Sequence, residues 1–419
     1  MSVYKAPRGT HDIFGQLALA LEKLDCISRT IFKKHNFKEV KTPIFEDVAL
    51  FTRSIGESTD IVEKEMYVFE DRKGRKLALR PEGTASLVRA YIEHNFNQTE
   101  PIGKFFYSGE MFRYERPQAG RYRQFSQMGA EYLGNSSPSA DAEIILVASE
   151  ILKSLGIKDI KIHLNSLGCA SCRAEFRKKL VEYFSSISDL CQDCRRRLDK
   201  NPLRLLDCKI DVDKFKNVPT MQECLCADCN IHFEHVQSLL KSAGCEYEIN
   251  HKLVRGLDYY TRTVFEVRSS SVGSQDALCA GGRYDNLVEE LGGLQVPSVG
   301  FALGCERVLM AAEKNGFFDN LNTDDLIFIA VADQELFNHA FTFANKLLSN
   351  KDTLRKELGL NDNIIVEGPF NKSLKSQFKL ADRLGAKKTI IFGKNEFDNG
   401  KIVIKDMGTK EQKEVLYRT

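Results

Sequence analysis

The sequence has almost no surplus of charge: across 419 residues, 60 Lys and Arg stand against 58 Asp and Glu, a formal net of +2. No whole-chain field therefore draws it to nucleic acid or to a membrane surface, and any polyanion must be met by local patches. No apolar run approaches the roughly 18 to 20 residues that a membrane span needs, so no membrane partner is expected. The first fifteen residues lack an apolar signal core and carry Lys5, Arg8, His11 and Asp12 instead, which makes a cytoplasmic location the default. Internal repeats and low-complexity tracts are missing too. With 42% hydrophobic and 28% charged residues, what is left is an ordinary globular chain, long enough for two or three compact domains.

Cysteine is not scarce. Eight of the twelve (Cys169, Cys172, Cys191, Cys194, Cys208, Cys224, Cys226 and Cys229) fall between residues 169 and 229 and mark that stretch as a module. A chain of this length without a signal segment keeps them reduced or on a metal instead of in a disulfide framework. Cys169-x2-Cys172 and Cys191-x2-Cys194, eighteen residues apart, have the spacing of a four-thiolate zinc site, and Cys226-x2-Cys229 is a third pair. Spacing alone leaves structural zinc and free buried thiols both open.

Leu17, Leu21, Leu24, Ile27 and Ile31 recur at three- and four-residue steps, the stripe of an amphipathic helix. An extended segment with Pro43 at an edge is expected over 37–45, a hairpin around Asp71–Gly74, and a helix opened by Pro81. Two strand-like runs, 104–113 and 124–133, flank a polar loop broken by Pro117 and Gly120. Alternation places Phe125, Gln127, Gly129 and Glu131 on one face of the second strand, so two polar groups face one cavity. Ser137-Pro138 opens a helix that stops at Gly156. Polar residues over 315–325 read as a linker, and beyond Leu326 apolar β-type runs (326–331, 363–366, 389–392) alternate with helices, as in a separate α/β domain.

Arg113, Arg116, Arg121 and Arg123 put four guanidinium groups on the hairpin loop, with Glu110 and Glu115 as counter-charge. Guanidinium forks match phosphate oxygens and stabilise charge spreading at a phosphoryl centre; the same loop is also compatible with a solvated basic surface.

At these residues a family resemblance becomes visible. Phe112–Phe125 (FRYERPQAGRYRQF) resembles motif 2 of the class II aminoacyl-tRNA synthetases, in particular the histidyl-tRNA synthetases, and Pro297–Arg307 (PSVGFALGCER) resembles motif 3. Lys41-Thr-Pro43 lies where motif 1 is expected, while Leu253–Glu266 (LVRGLDYYTRTVFE) and Ala280–Asp285 (AGGRYD) resemble segments peculiar to the histidine enzymes. Arg8–Asp12 and Arg80–Thr84 fit as well. Ala302, where motif 3 often has glycine, and Cys305 before Glu306 depart from the pattern.

The resemblance covers essentially the whole chain. It implies an α+β catalytic domain on an antiparallel sheet, in two parts (1–165 and 246–320) around a cysteine-rich insertion (166–245), and a C-terminal α/β anticodon-binding domain (325–419). The implied reaction is ATP-dependent attachment of L-histidine to its tRNA through a histidyl-adenylate, by a homodimer, with Mg2+ accompanying ATP. Arg113 and Arg255 would be catalytic, holding the α-phosphate from two sides. Glu115, Arg121, Phe125 and Arg307 join Arg113 around ATP; Gly300 and Gly304 leave room beneath it. Glu82, Thr84, Gln127, Glu131, Tyr259, Tyr260 and Tyr284 would bind histidine, Glu131 and Tyr260 matching the donor and acceptor nitrogens of the imidazole. Arg116 and Gln118 are assigned to the acceptor end of tRNA. Lys372, Lys375, Lys379 and Arg383, at helical spacing opposite Leu374, Phe378, Ala381 and Leu384, form a second basic face; residues 372–388 carry six basic groups against Asp382. The chief rival is a synthetase-like, histidine-binding regulatory subunit of ATP phosphoribosyltransferase that charges no tRNA. A third reading is an RNA-binding adaptor with a degenerate site.

Overall fold

The computed structural model describes residues 4–56, 59–208, 210–273, 276–321, 324–349, 353–361 and 363–417. Two compact units divide the chain, Met1–Leu321 and Asn322–Thr419. The boundary falls within the expected linker, of which Asn322 and Thr323 lie outside the described residues.

The first unit holds β1 (Lys38–Glu39), β2 (Phe45–Asp47), β3 (Val68–Glu70), β4 (Lys76–Leu79), β5 (Gly103–Phe112), β6 (Gln124–Leu133), β7 (Ile160–Ser166), β8 (Glu248–Ile249), β9 (Thr261–Ser269), β10 (Ala277–Arg283) and β11 (Ser298–Gly304). Eight form one sheet in the order β1-β5-β6-β11-β10-β9-β7-β8, and β2-β4-β3 form a small second sheet. The six central strands are antiparallel, whereas the two-residue edge strands β1 and β8 pair parallel. The extended 37–45 segment thus breaks in two, one piece closing each sheet, with Pro43 between them.

The stripe of the first helix, Gln16–Lys34, buries Ala20, Leu24 and Ile31 and packs Leu17, Leu21 and Ile27 against the same core. That core continues through the Pro138–Ser154 helix, whose Ser137 hydroxyl accepts from the Ser139 N–H, an N-cap. Pro81 does not open a helix. The helix begins at Thr84, because the Glu82 carboxylate accepts from the backbone N–H groups of Thr84 (2.7 Å) and Ala85 (2.8 Å), which would otherwise be unpaired.

The cysteine-rich stretch folds as helices Ala170–Ser185, Gln192–Lys200 and Ala227–Ser242 with short 3-10 turns. A buried polar cluster ties it to the sheet. Arg283, fully buried, is ion-paired with the fully buried Asp141 and donates to the carbonyls of Asn135 (3.0 Å) and Ser137 (3.2 Å). His232, from the last of those helices, reaches the same carboxylate at 3.2 Å, and Arg262 meets its other ring nitrogen at 3.3 Å.

In the second unit, β12 (Asp325–Val331), β13 (Ile364–Glu367), β14 (Lys388–Phe392), β15 (Lys401–Asp406) and β16 (Gln412–Leu416) form a sheet in the order β13-β12-β14-β15-β16. The first three are mutually parallel and the last two add antiparallel. The helix Leu374–Arg383 is anchored by buried Gln377, which accepts from the Val331 N–H (3.0 Å) and donates to its carbonyl (2.8 Å). Lys372, Lys375, Lys379 and Arg383 are exposed. Leu384 departs from the expected apolar face: it caps the helix after its last turn and is 45% exposed.

Without Asp141, the fully buried Arg283 would keep only Asp285 (3.1 Å) as a described carboxylate partner, and an under-compensated buried charge is costly. Asp141→Asn is expected to cost about 3 kcal/mol of stability in urea unfolding of the full chain; a loss within about 0.5 kcal/mol of zero, the range of ordinary surface substitutions, would show that Arg283 does not depend on it.

Candidate functional site

β6 delivers side chains alternately to the two faces of the sheet, and on one of them a cavity of roughly 190 Å³ opens. All thirteen residues expected to meet histidine or ATP line it: Phe125, Gln127 and Glu131 come from β6, Arg113, Glu115 and Arg121 from the hairpin loop, Glu82 and Thr84 from a helix start, Tyr284 from just past β10, Arg307 from the first turn of the helix Cys305–Lys314 that follows β11, and Arg255, Tyr259 and Tyr260 from the approach to β9.

At the deep end Glu131 is 1% exposed, accepts from the Thr84 hydroxyl (2.8 Å) and from the Tyr284 phenol, and has no cation among its described partners. Burial pushes its pKa up to about 8, against the lowering effect of those two donors. Burial also raises Glu82, partly opposed by the two backbone N–H groups it accepts from. Tyr259, Tyr260 and Tyr284 are buried; the ring of Tyr259 lies 4.7 Å from that of Tyr260 and 5.6 Å from that of Tyr284. Burial pushes Tyr260 up to about 12, so it is a neutral donor. Gly300 pairs opposite Glu131, and a Cβ there would stand 1.7 Å from Oε2 of Glu131. Its glycine therefore makes room for the Glu131 carboxylate, whereas Gly304, with nothing near a built Cβ, borders open cavity.

The wide end is cationic. Arg113 donates through Nε to the Pro81 carbonyl (2.8 Å) and lies 5.4 Å from the Phe125 ring centre. Arg121 pairs with Glu115 at 3.0 Å, and Arg307 donates to the carbonyls of Gly120 (2.9 Å) and Ala277 (3.3 Å). Burial chiefly, and then Arg121 and Arg113, lower the pKa of Arg307, with Glu115 and Glu266 opposing them. Glu306 accepts from the Ser126 N–H at 2.7 Å and is pushed up to about 7, chiefly by burial. Of the two departures from motif 3, Ala302 borders the cavity and Cys305 is buried in the core behind it.

The hairpin loop does not present all four arginines to the cavity. Arg116 is exposed, as is Gln118, and neither lines it; Arg123 stacks on Tyr114 (3.7 Å to the ring centre), with its backbone N–H held by the Gly9 carbonyl at 2.7 Å. Arg255 and Arg307 make up the number.

Two residues escaped the sequence reading. Glu266 on β9 ion-pairs with Arg255 at 2.5 Å and Arg268 at 2.9 Å. Its signal was present, since a carboxylate between Phe265 and Val267 inside a strand needs a partner. Tyr107, which donates to Gln127 (3.4 Å), gave none, because a tyrosine in an apolar strand reads as core. Its ring fills the space where a Cβ at Gly83 or Gly129 would stand, 2.2 and 2.4 Å away.

The family model described as histidyl-tRNA synthetase matches residues 9–175 and 208–308, and an anticodon binding domain model matches 327–417. The chain belongs to the histidyl-tRNA synthetase family. It is 61% identical over 414 residues to the histidine–tRNA ligase of Endomicrobium trichonymphae, covering 99% of both chains, and 47% identical over 416 residues to that of Halothermothrix orenii, covering 98% and 96%. Apo histidyl-tRNA synthetase from S. aureus superposes with a TM-score of 0.81 at 35% identity over 99% of this chain and 97% of that one. The family's class II catalytic fold and its C-terminal anticodon-binding domain are thus both present.

The raised pKa of Glu131 has a signed consequence. The folded chain holds its proton between the ordinary carboxylate range and about pH 8 while the unfolded chain does not, so this group's contribution to stability is full below that range and is lost as pH rises to about 8. In urea unfolding from pH 5 to 8, wild type is expected to lose up to about 1.4 kcal/mol per pH unit relative to Glu131→Gln; parallel profiles would show an ordinary carboxylate.

Proposed function

We propose that the protein attaches L-histidine to its cognate tRNA in an ATP-dependent reaction through a histidyl-adenylate. One observation carries this reading: guanidinium groups from three distant stretches, Arg113, Arg255 and Arg307, border the same cavity as a buried carboxylate, Glu131, flanked by tyrosines.

A histidine carboxylate oxygen attacks the α-phosphorus of ATP and pyrophosphate leaves; the terminal ribose hydroxyl of tRNA then attacks the adenylate carbonyl and AMP leaves. Neither step needs a protein nucleophile, so catalysis rests on orientation and charge. Arg113 and Arg255 neutralise the charge that spreads over the α-phosphoryl oxygens. Glu266 aims Arg255, and the Pro81 carbonyl aims Arg113. Phe125 gives adenine a face to stack on, and Arg121 and Arg307 meet the remaining phosphates. Glu115 and Glu306 are the oxygen donors suited to the Mg2+ that ATP carries, which screens phosphate charge.

Glu131 accepts the imidazole N–H and the neutral Tyr260 donates to the other nitrogen, so a substrate without ring nitrogens forfeits both bonds in a desolvated site and is rejected. Thr84, Gln127, Tyr259 and Tyr284 complete the wall. Glu82 meets the α-ammonium with whatever capacity its carboxylate keeps beyond the helix start.

Exposed Arg116 and Gln118 suit the acceptor end of tRNA, and Lys372, Lys375, Lys379 and Arg383 suit its phosphates. The reading includes a homodimer, supported by exposed Phe45, Val68 and Phe69 on the small sheet, and a cytoplasmic setting, consistent with the lack of any described helix long and apolar enough to cross a membrane. Structural zinc in the insertion belongs to it as well. The regulatory-subunit alternative is disfavoured by the matched anticodon-binding domain and by Arg255 in the cavity.

Arg255→Ala is expected to slow histidine-dependent exchange of pyrophosphate into ATP by about 10²–10³; a rate within about twofold of wild type rejects the role. Changing Lys375 and Lys379 together to Glu is expected to weaken tRNA charging at least about tenfold at fixed salt, leaving that exchange intact. Equal charging would remove this face from the tRNA interface.

A further inference from the structure

The three Cys-x2-Cys pairs do not assemble as their spacing along the chain suggests. Cys169 and Cys172 do not join Cys191 and Cys194; they meet Cys226 and Cys229, and Cys191 and Cys194 meet Cys208 and Asp211. In each foursome all ligand atoms lie within 4.8 Å of one another. Cys224 belongs to neither.

We infer that the insertion binds two zinc ions, one on four thiolates (Cys169, Cys172, Cys226, Cys229) and one on three thiolates and a carboxylate (Cys191, Cys194, Cys208, Asp211). The inference deepens the zinc reading above by giving its ligand sets. The separations carry it. A tetrahedral zinc with Zn–S bonds of ~2.3 Å sets sulfurs ~3.8 Å apart. The structure has 3.5 Å between Cys169 and Cys172, 4.0 Å between Cys169 and Cys226, and 3.8 Å between Cys191 and Cys208. A disulfide needs ~2.05 Å, and no pair of described cysteines is bonded.

Backbone N–H groups already point at the sulfurs: Cys226 donates to the Cys172 sulfur (3.1 Å), Cys194 to that of Cys191 (3.4 Å) and Asp211 to that of Cys208 (3.3 Å). Such bonds stabilise thiolates over thiols and fix ligand orientation. Asp211 is fully buried, and a buried carboxylate needs compensating partners. Its Oδ2 accepts from the Cys191 N–H at 2.8 Å, and Lys214 at 3.1 Å offsets the excess negative charge of a three-thiolate, one-carboxylate site.

Each ion would close a different loop. The first joins the exit of β7 to the start of the Ala227–Ser242 helix, whose His232 reaches Asp141. The second closes 191–211, a segment whose Asn201 donates to Asp258 (2.9 Å) and whose Arg204 donates to the Arg255 carbonyl (3.4 Å). Metal affinity would therefore become folding free energy for the insertion and for the loop that carries Arg255.

Full-length protein purified without chelator is expected to hold about two zinc ions per chain by plasma mass spectrometry, about one in Cys226→Ser and about one in Cys208→Ser. After cobalt substitution, the thiolate-to-cobalt absorption left in Cys208→Ser should exceed that left in Cys226→Ser, four thiolates against three. Less than one zinc per wild-type chain, with its cysteines open to a thiol reagent under native conditions, overturns the inference without any variant having to fold; a single zinc that survives Cys208→Ser overturns the second site. Pyrophosphate exchange by the same preparation reports separately on the ligase reading.

Discussion

A carboxylate enclosed by neutral donors organises the catalytic unit. Glu131 has a hydroxyl and a phenol for company and no described cation, so burial holds it closer to its acid form than a solvated glutamate. An imidazole N–H would meet an acceptor whose charge is costly to bare, shared with two neutral donors and with no arginine of the site among its described partners. Arg113 is engaged by a carbonyl, Arg255 by Glu266, and Gly300 withholds the side chain that would push Glu131 aside. The cationic half and the imidazole half share one cavity, yet their charges are tied to separate partners.

Much of this was legible in the sequence where a period governs it. Alternation in β6 is a property of any strand, so Phe125, Gln127 and Glu131 could be put on one face without coordinates. The first helix was readable from its three- and four-residue stripe, and Glu131 itself from the rule that a strand-interior carboxylate needs a partner. Where no period applies, the reading fell short. The hairpin loop has no repeating geometry, and only Arg113 and Arg121 of its four arginines turn inward; Arg123 is taken by an aromatic face and by the chain's own beginning at Gly9. Glu82 acts on the Thr84 and Ala85 amides, so the helix starts later than Pro81 indicated. The partners of Cys169 and Cys172 stand more than fifty residues away, and sequence spacing is blind to such contacts.

The insertion is joined to the catalytic unit by apolar packing of Phe233, Val236 and Leu240 into the main core and by a buried polar chain beside it. Arg283, Asp141, His232 and Arg262 run from β10 through a core helix to the insertion and back to β9. Buried polar groups of this kind tolerate few alternative arrangements, since each misalignment leaves an uncompensated charge. The insertion is thereby held in one register on the sheet, and with it the loop that presents Arg255.

Tyr107 rests against two positions, Gly83 and Gly129, where the backbone has nothing to offer but hydrogen. Its ring thereby braces Gln127 from a neighbouring strand, one layer behind the cavity wall. A side chain acquired at either position would meet that ring, and at Gly129 the Phe301 carbonyl as well, so the ring and its hydrogen bond to Gln127 would have to shift. The setting of Gln127 thus depends, at one remove, on atoms the chain does without.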